Sequence, residues 1–150
     1  MYTQVDSSLW RGSRPTSSDL AIIKAQFATV ISLEGQDEDA KELLELRPVL
    51  LVSRPISFWQ IYFTGITQAA LYDILSAIAE AQKPVLVHCQ HGEDRTGLVI
   101  AAYQVIAHGI SKDGAMEQAI EFGYRFYLNH GLNRTWGKFC ATLPDAKEIP

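Results

Sequence analysis

Only two of the 150 residues are cysteine, Cys89 and Cys140, so the scaffold cannot rest on the several disulfides that stabilise small secreted domains. No run of eighteen apolar residues occurs, and no membrane span is expected. The opening Met1-Tyr2-Thr3-Gln4-Val5-Asp6 lacks the basic and apolar pattern of an export leader, which leads us to expect a cytoplasmic protein. Basic runs are missing as well. Thirteen Lys and Arg stand against seventeen Asp and Glu, a net charge of −4 that argues against nucleic acid as a partner. Repeats and low-complexity linkers are absent. The 47% of hydrophobic residues suffices for one substantial core, and one domain over residues 1–150 is expected.

What is present alternates between two periodicities. Short apolar runs at Ala28 to Leu33, Val49 to Val52 and Val85 to Val87 read as buried strands, and an N-terminal hairpin near Gln4 to Arg11 can add an edge. Helical spacing covers Ser18 to Gln26, Asp39 to Leu46, Thr67 to Ala81, Arg95 to His108, Lys112 to Phe122 and Asn133 to Leu143. The expected class is α/β, with a central, mostly parallel sheet flanked by helices.

The segment between the third run and the Arg95 helix carries the chemistry. His88-Cys89-Gln90-His91-Gly92-Glu93-Asp94-Arg95-Thr96-Gly97 sets a cysteine at a strand end and an arginine six positions later, where a helix begins. The first amides of a helix have no intrahelical partner, and the helix dipole favours negative charge there, so such a loop suits both a phosphate and a thiolate. A cysteine at a helix N-terminus can ionise well below its usual value of about 8.5, which makes Cys89 the expected nucleophile. Arg95 can grip two phosphoryl oxygens through its planar fork, and Thr96 can donate its hydroxyl to the sulfur. Gln90, His91, Gly92, Glu93 and Asp94 complete the phosphate-binding loop. His88 is expected to orient it, and Gly92 and Gly97 to allow close backbone approach.

These ten residues resemble the signature of the cysteine-dependent protein tyrosine phosphatase superfamily, dual-specificity branch included. The resemblance implies a minimal domain of that fold, with the phosphate loop between a strand at 85–89 and a helix at 95–108. It implies a phosphomonoesterase working through a cysteinyl-phosphate, without metal or cofactor, on a phosphorylated small molecule or phosphoprotein. The small bacterial character and the acid-rich loop look most like tyrosine-phosphatase-like inositol polyphosphate phosphatases, the phytases. Protein tyrosine or dual-specificity phosphatase is the alternative, with Phe58, Trp59 and Tyr62 available for an aromatic ring. A phosphate-binding protein without turnover is a reading of another class.

One expected part is missing. Family members commonly place an acidic residue about thirty positions before the cysteine, yet Ser53-Arg54-Pro55-Ile56-Ser57-Phe58-Trp59-Gln60 holds no carboxylate. Asp94, beside Arg95 as in the myotubularin phosphatases, leads as proton donor. The acidic turn Glu34, Asp37, Glu38 and Asp39 competes, and Glu93 or water-assisted departure remains. Arg14 and Arg54 are expected to contact substrate, with Arg125, Asn133 and Arg134 a weaker set. Arg11 has a second reading, a buried hydrogen bond that ties down the N-terminal segment.

Overall fold

The computed structural model describes residues 2–143, except for the side chain of Gln36. Strands β1 (Tyr2–Gln4), β2 (Leu9–Gly12), β3 (Thr29–Ser32), β4 (Leu50–Ser53) and β5 (Val85–His88) form one sheet in the order β1-β2-β5-β3-β4. All neighbours are parallel except the β1–β2 hairpin at the edge, which meets the expected mostly parallel α/β class. Every residue of β3 and β5 is buried, as the continuous apolar runs require of central parallel strands.

The helices are α1 (Leu20–Gln26), α2 (Gln36–Leu46), α3 (Gln68–Glu80), α4 (Arg95–His108), α5 (Lys112–Glu121) and α6 (His130–Thr142), with a π turn at Gln60–Thr64. Contacts divide the chain into two compact units. One holds residues up to 57 together with 76–92, and the other holds 58–75 with the residues from 93 onward.

In the first unit the core joins Ile23 and Phe27 of the α1 end to Val30, Leu46, Val49 and Leu86, with Trp10 set edge-on against Phe27. Helix α2 has an inverted pattern. It buries Asp39 and Glu42 while leaving Leu43 and Leu44 exposed, which tolerable burial of charge allows only if partners are supplied.

In the second unit α4 packs against α5 and α6, and the π turn against α6. The π turn and α6 approach closely at two glycines. A Cβ at Gly131 would collide with the Gln60 carbonyl, and one at Gly65, whose φ is 71°, would collide with the Gly131 carbonyl. Thr135 seals the contact, accepting from the Ile66 amide at 2.9 Å. Helix α4 starts at Arg95 and stops at Gly109, which takes the left-handed conformation and donates to Gln104 and Val105. The helix at 130–142 begins three residues earlier than the spacing suggests, and the π turn went unread.

Candidate active site

Strand β5 ends at His88, and Cys89 follows it, 3% exposed. Two neighbours shape the first half of the loop. Gly92 has φ 75°, and a Cβ there would lie 2.6 Å from the Gly12 carbonyl carbon and oxygen, so only glycine fits. Arg14 donates its amide to the Gln90 carbonyl at 3.1 Å, and Arg11, buried on β2, donates Nη2 to the Gly92 carbonyl at 2.9 Å. Arg11 thus makes the buried tie that its sequence position suggested. Burial lowers its guanidinium to about 10, while the charge of Cys89 acts in the opposite direction, so Arg11 is a cation in the electrostatic neighbourhood of the sulfur. His91 is exposed and Gln90 half-buried.

His88 is fully buried. Its Nε2 meets Glu42 Oε2 at 2.7 Å, and its Nδ1 lies 3.1 Å from the Cys89 carbonyl and 3.8 Å from Glu34 Oε2. Glu34 in turn accepts from Arg14 Nε on Oε1 (2.8 Å) and Oε2 (3.0 Å) and from Nη2 on Oε1 (2.5 Å). The bond to Glu34 raises the Arg14 guanidinium, burial opposing it. Glu42 was not singled out from the sequence. Its signal was available: Asp39, Glu42 and Leu46 stand at helical spacing on one face, which puts two carboxylates where apolar residues are the norm.

The second half of the loop opens α4. Arg95 and Thr96 are its first residues and are buried, and Gly97 lies against the Tyr124 ring, where a Cβ would stand 3.1 Å from Cδ2. Thr96 Oγ1 is buried and has no protein partner among the described residues. The Arg95 guanidinium carbon lies 5.3 Å from the centroid of the exposed Phe58 ring. Trp59 and Phe63, also exposed, meet with ring centroids 4.5 Å apart and planes tilted by 41°. The segment read as lacking an acid turns helical only at its end, from Phe58 onward.

Several of the other expected residues have hydrogen-bond partners that the sequence did not show. Asp94, the leading proton donor, accepts four hydrogen bonds: from Arg125 N (3.0 Å), Nε (3.1 Å) and Nη2 (2.6 Å) and from Asn129 Nδ2 (2.6 Å). Burial raises its carboxyl, but the Arg125 and Asn129 bonds outweigh that and hold it below the usual carboxylate range. A carboxylate so engaged is an acceptor, and its side chain does not cap α4 either. The acidic turn is engaged in part. Asp39 accepts from Ser32 Oγ at 2.6 Å and from Ser53 Oγ, Glu34 is held by Arg14, and Asp37 and Glu38 are exposed in the first turn of α2. Glu93 lies against Gly123, whose φ is 102°.

Among the outer cations, Arg14 is paired with Glu34 and Arg54 donates Nη1 to the Ser53 carbonyl. Arg125 clamps Asp94, Asn133 bridges Tyr124 Oη and the Phe126 carbonyl, and Arg134 is exposed. Arg125, read from the sequence as a weaker candidate for substrate contact, holds Asp94 instead, and Asn129, which does the same, was not singled out, because residues 31 and 35 positions from Asp94 give no local signal.

Comparison with known proteins agrees with this arrangement. The dual specificity protein phosphatase TpbA of Pseudomonas aeruginosa is 31% identical over 124 residues, covering 81% of this chain and 54% of its own length, so the chain spans about half of that relative. A crystal structure of TpbA in complex with pTyr superposes with a TM-score of 0.73 at 24% identity, over 93% of this chain and 88% of that one. The structure of Tk-PTP in its active form gives 0.80 at 23% identity, over 95% and 97% of the two chains. The core catalytic domain of the PP-IP phosphatase SIW14 from S. cerevisiae gives 0.76 at 18%, over 98% and 87%. These likenesses establish the minimal tyrosine phosphatase fold. The family model described as "Tyrosine phosphatase family" matches residues 19–118, two-thirds of the sequence and the whole phosphate loop with it, and the chain belongs to that family.

Proposed function

We propose that the chain is a single catalytic domain that hydrolyses phosphomonoesters through Cys89, and that its substrate is an aryl phosphate such as phosphotyrosine. The observation that carries the chemistry is the loop itself: a buried cysteine after β5, an arginine that opens α4 and, next to it in the same turn, a buried Thr96 hydroxyl with no partner among the described residues. The Cys89 thiolate attacks phosphorus, the bond to the ester oxygen breaks, and a thiophosphate forms. Arg95 and the loop amides carry the equatorial oxygens as charge spreads over them. Thr96 donates to the sulfur as it becomes the leaving group. Water then attacks phosphorus, regenerating the thiolate and releasing phosphate.

Three features favour an aryl ester over the inositol polyphosphate that the sequence suggested. Asp94, Glu34 and Asp39 are committed to hydrogen bonds, so the departing oxygen gains little from them. A phenol, with a pKa of about 10, leaves with less protonation than an alkyl alcohol. Phe58 offers an exposed ring 5.3 Å from the Arg95 guanidinium, and Trp59, next in the chain, is exposed as well. Arg14, needed for a second phosphate, is neutralised by Glu34. The pTyr complex of TpbA supports the same reading.

The test compares kcat/KM for a phosphotyrosine peptide, inositol hexakisphosphate and lower inositol phosphates, with Cys89→Ser as control. Turnover of the peptide ahead of every inositol phosphate is expected. Preference for an inositol phosphate overturns the substrate assignment, and binding without Cys89-dependent turnover overturns the enzymatic one.

A further inference from the structure

We infer that the π turn and the segment leading into α6 together form a face that docks on an anionic membrane surface, with aromatic rings set among the lipid headgroups. The exposed rings are not scattered over the molecule. Of the seven Phe, Trp and Tyr side chains that stand exposed among the described residues, six lie in two short stretches, 58–63 and 122–127. Phe58, Trp59, Phe63 and Tyr127 are each more than half exposed. Single exposed rings are ordinary on a protein surface, but a concentration of this kind marks a surface that another body covers.

The two stretches are neighbours within the second unit. Gly131 comes so close to the Gln60 and Ile61 carbonyls that a Cβ on it would collide with both, and the Arg125 guanidinium donates to the Tyr62 side chain. The rings of 58–63 and those of 126–127 therefore rise from adjoining backbone.

Charge decides what covers them. From Phe58 to Tyr72 no residue is charged, and from Phe122 to Leu143 there is no Asp or Glu, although the whole chain carries a net charge of −4. The second stretch holds Arg125, Arg134 and Lys138. Arg125 is spent on Asp94, whereas Arg134 and Lys138 are exposed and have no ion-pair partner among the described residues. They stand three positions after Gly131 and Thr135, the residues through which α6 meets the π turn and Ile66 beyond it, so both cations lie along the border of the aromatic turn. The acids nearest in sequence are Asp73 and Glu121, which bound the two stretches, and Glu93 lies half-buried against Gly123.

Projecting rings bordered by cations and free of acids match an anionic bilayer interface, where aromatic side chains sit at headgroup level and Lys and Arg meet lipid phosphates. A peptide fits this face less well. Peptides are held by pockets that enclose their side chains or by an open strand edge, yet four of these rings stand more than half exposed and all five strands belong to the other unit. Among the described residues no helix is long and apolar enough to cross a membrane, and the docking is peripheral. The Phe58 ring lies 5.3 Å from the Arg95 guanidinium, so the docked face reaches the phosphate loop and brings Arg95 to esters held near the lipid surface.

The test uses extruded vesicles of phosphatidylcholine, alone or with about 30% phosphatidylglycerol, in about 0.1 M salt. Wild-type protein should cosediment with the anionic vesicles at least about tenfold more strongly than with the neutral ones, and lose that preference at about 0.5 M salt. Trp59 reports insertion, because Trp10 is half-buried and Trp136 buried. A blue shift of tryptophan emission and quenching by brominated lipid tails are expected in the wild type. Both signals should vanish in Trp59→Phe, which keeps a ring and should keep binding. Lys138→Gln should weaken vesicle binding roughly fivefold, and Phe63→Ala with Tyr127→Ala at least about tenfold, each with wild-type Tm. Absence of binding, equal binding to neutral and anionic vesicles, or unshifted emission on binding overturns the inference. Binding of polyglutamate without binding of vesicles also overturns it and assigns the face to an acidic peptide. Vesicle binding is read without any ester, on Cys89→Ser as well as wild type, so its failure is distinguishable from failure of the proposed chemistry.

Discussion

Replacing Asp94 by asparagine separates a proton donor from a latch. In the structure the carboxylate takes Arg125 Nε and Nη2 on Oδ2 and Arg125 N and Asn129 Nδ2 on Oδ1. Asparagine can keep its oxygen toward two of these donors and must turn its own NH₂ toward the others, so two charge-assisted bonds are lost. Bonds to charged groups are worth about 1.5–3 kcal/mol each. The Arg125 side chain is 37% exposed, and solvent screening reduces that sum by about half, to roughly 1.5–3 kcal/mol. For a chain of this size, at about 2–4 °C per kcal/mol, the corresponding fall in Tm is about 3–12 °C. The sign with pH follows from the depressed carboxyl of Asp94. Its contribution is fully present above the unfolded value of about 3.9 and is lost as pH falls through the lower folded value. The difference in Tm between wild type and Asp94→Asn is therefore constant from neutrality to about pH 5 and shrinks below about pH 4. Activity should fall by the same factor, within about twofold, for aryl and alkyl phosphates of graded leaving-group pKa. Wild-type stability in the variant refutes the latch. A selective loss on alkyl esters, accompanied by loss of the basic limb of the pH profile, refutes the reassignment and returns Asp94 to the role of acid.

Further outcomes follow from the loop and its supports. Cys89→Ser should abolish turnover yet retain binding of a phosphotyrosine peptide, whereas Arg95→Ala should lose both, because only the second removes the bidentate grip; calorimetric titration alongside an activity assay checks the pair. Thr96→Val removes a buried hydroxyl that has no protein partner, so denaturant midpoints should shift by less than about 1 kcal/mol while kcat falls about tenfold. Gly92→Ala forces a left-handed backbone onto alanine and drives Cβ into the Gly12 carbonyl, a loss of at least about 1–2 kcal/mol seen in Tm and in phosphate release. Arg14→Ala strands the buried Glu34 and should destabilise by about 2–3 kcal/mol without selectively weakening multiply phosphorylated substrates.

Local chemistry was legible wherever it lies within a few residues of chain. The loop from His88 to Gly97 needs its glycines, its cysteine and its arginine at fixed offsets, and α4 starts and stops where Arg95 and Gly109 stand in the sequence. Strands β3 and β5 were visible because a strand buried on both faces must be apolar throughout, and the β1–β2 hairpin because its partners are close in sequence. The assignment of carboxylates was not legible. Asp94, Asp39, Glu34 and Glu42 are alike in sequence, acidic groups near a phosphate loop, and each is decided by a donor far along the chain: Arg125 and Asn129, Ser53, Arg14, and His88. The same distance hid the use of Arg14, which reads as a free cation until Glu34 is placed against it. A side chain's residue type sets which protons it can give or accept, and the sequence by itself determined that much; which of those capacities is already spent depends on partners that only the tertiary structure brings within 3 Å.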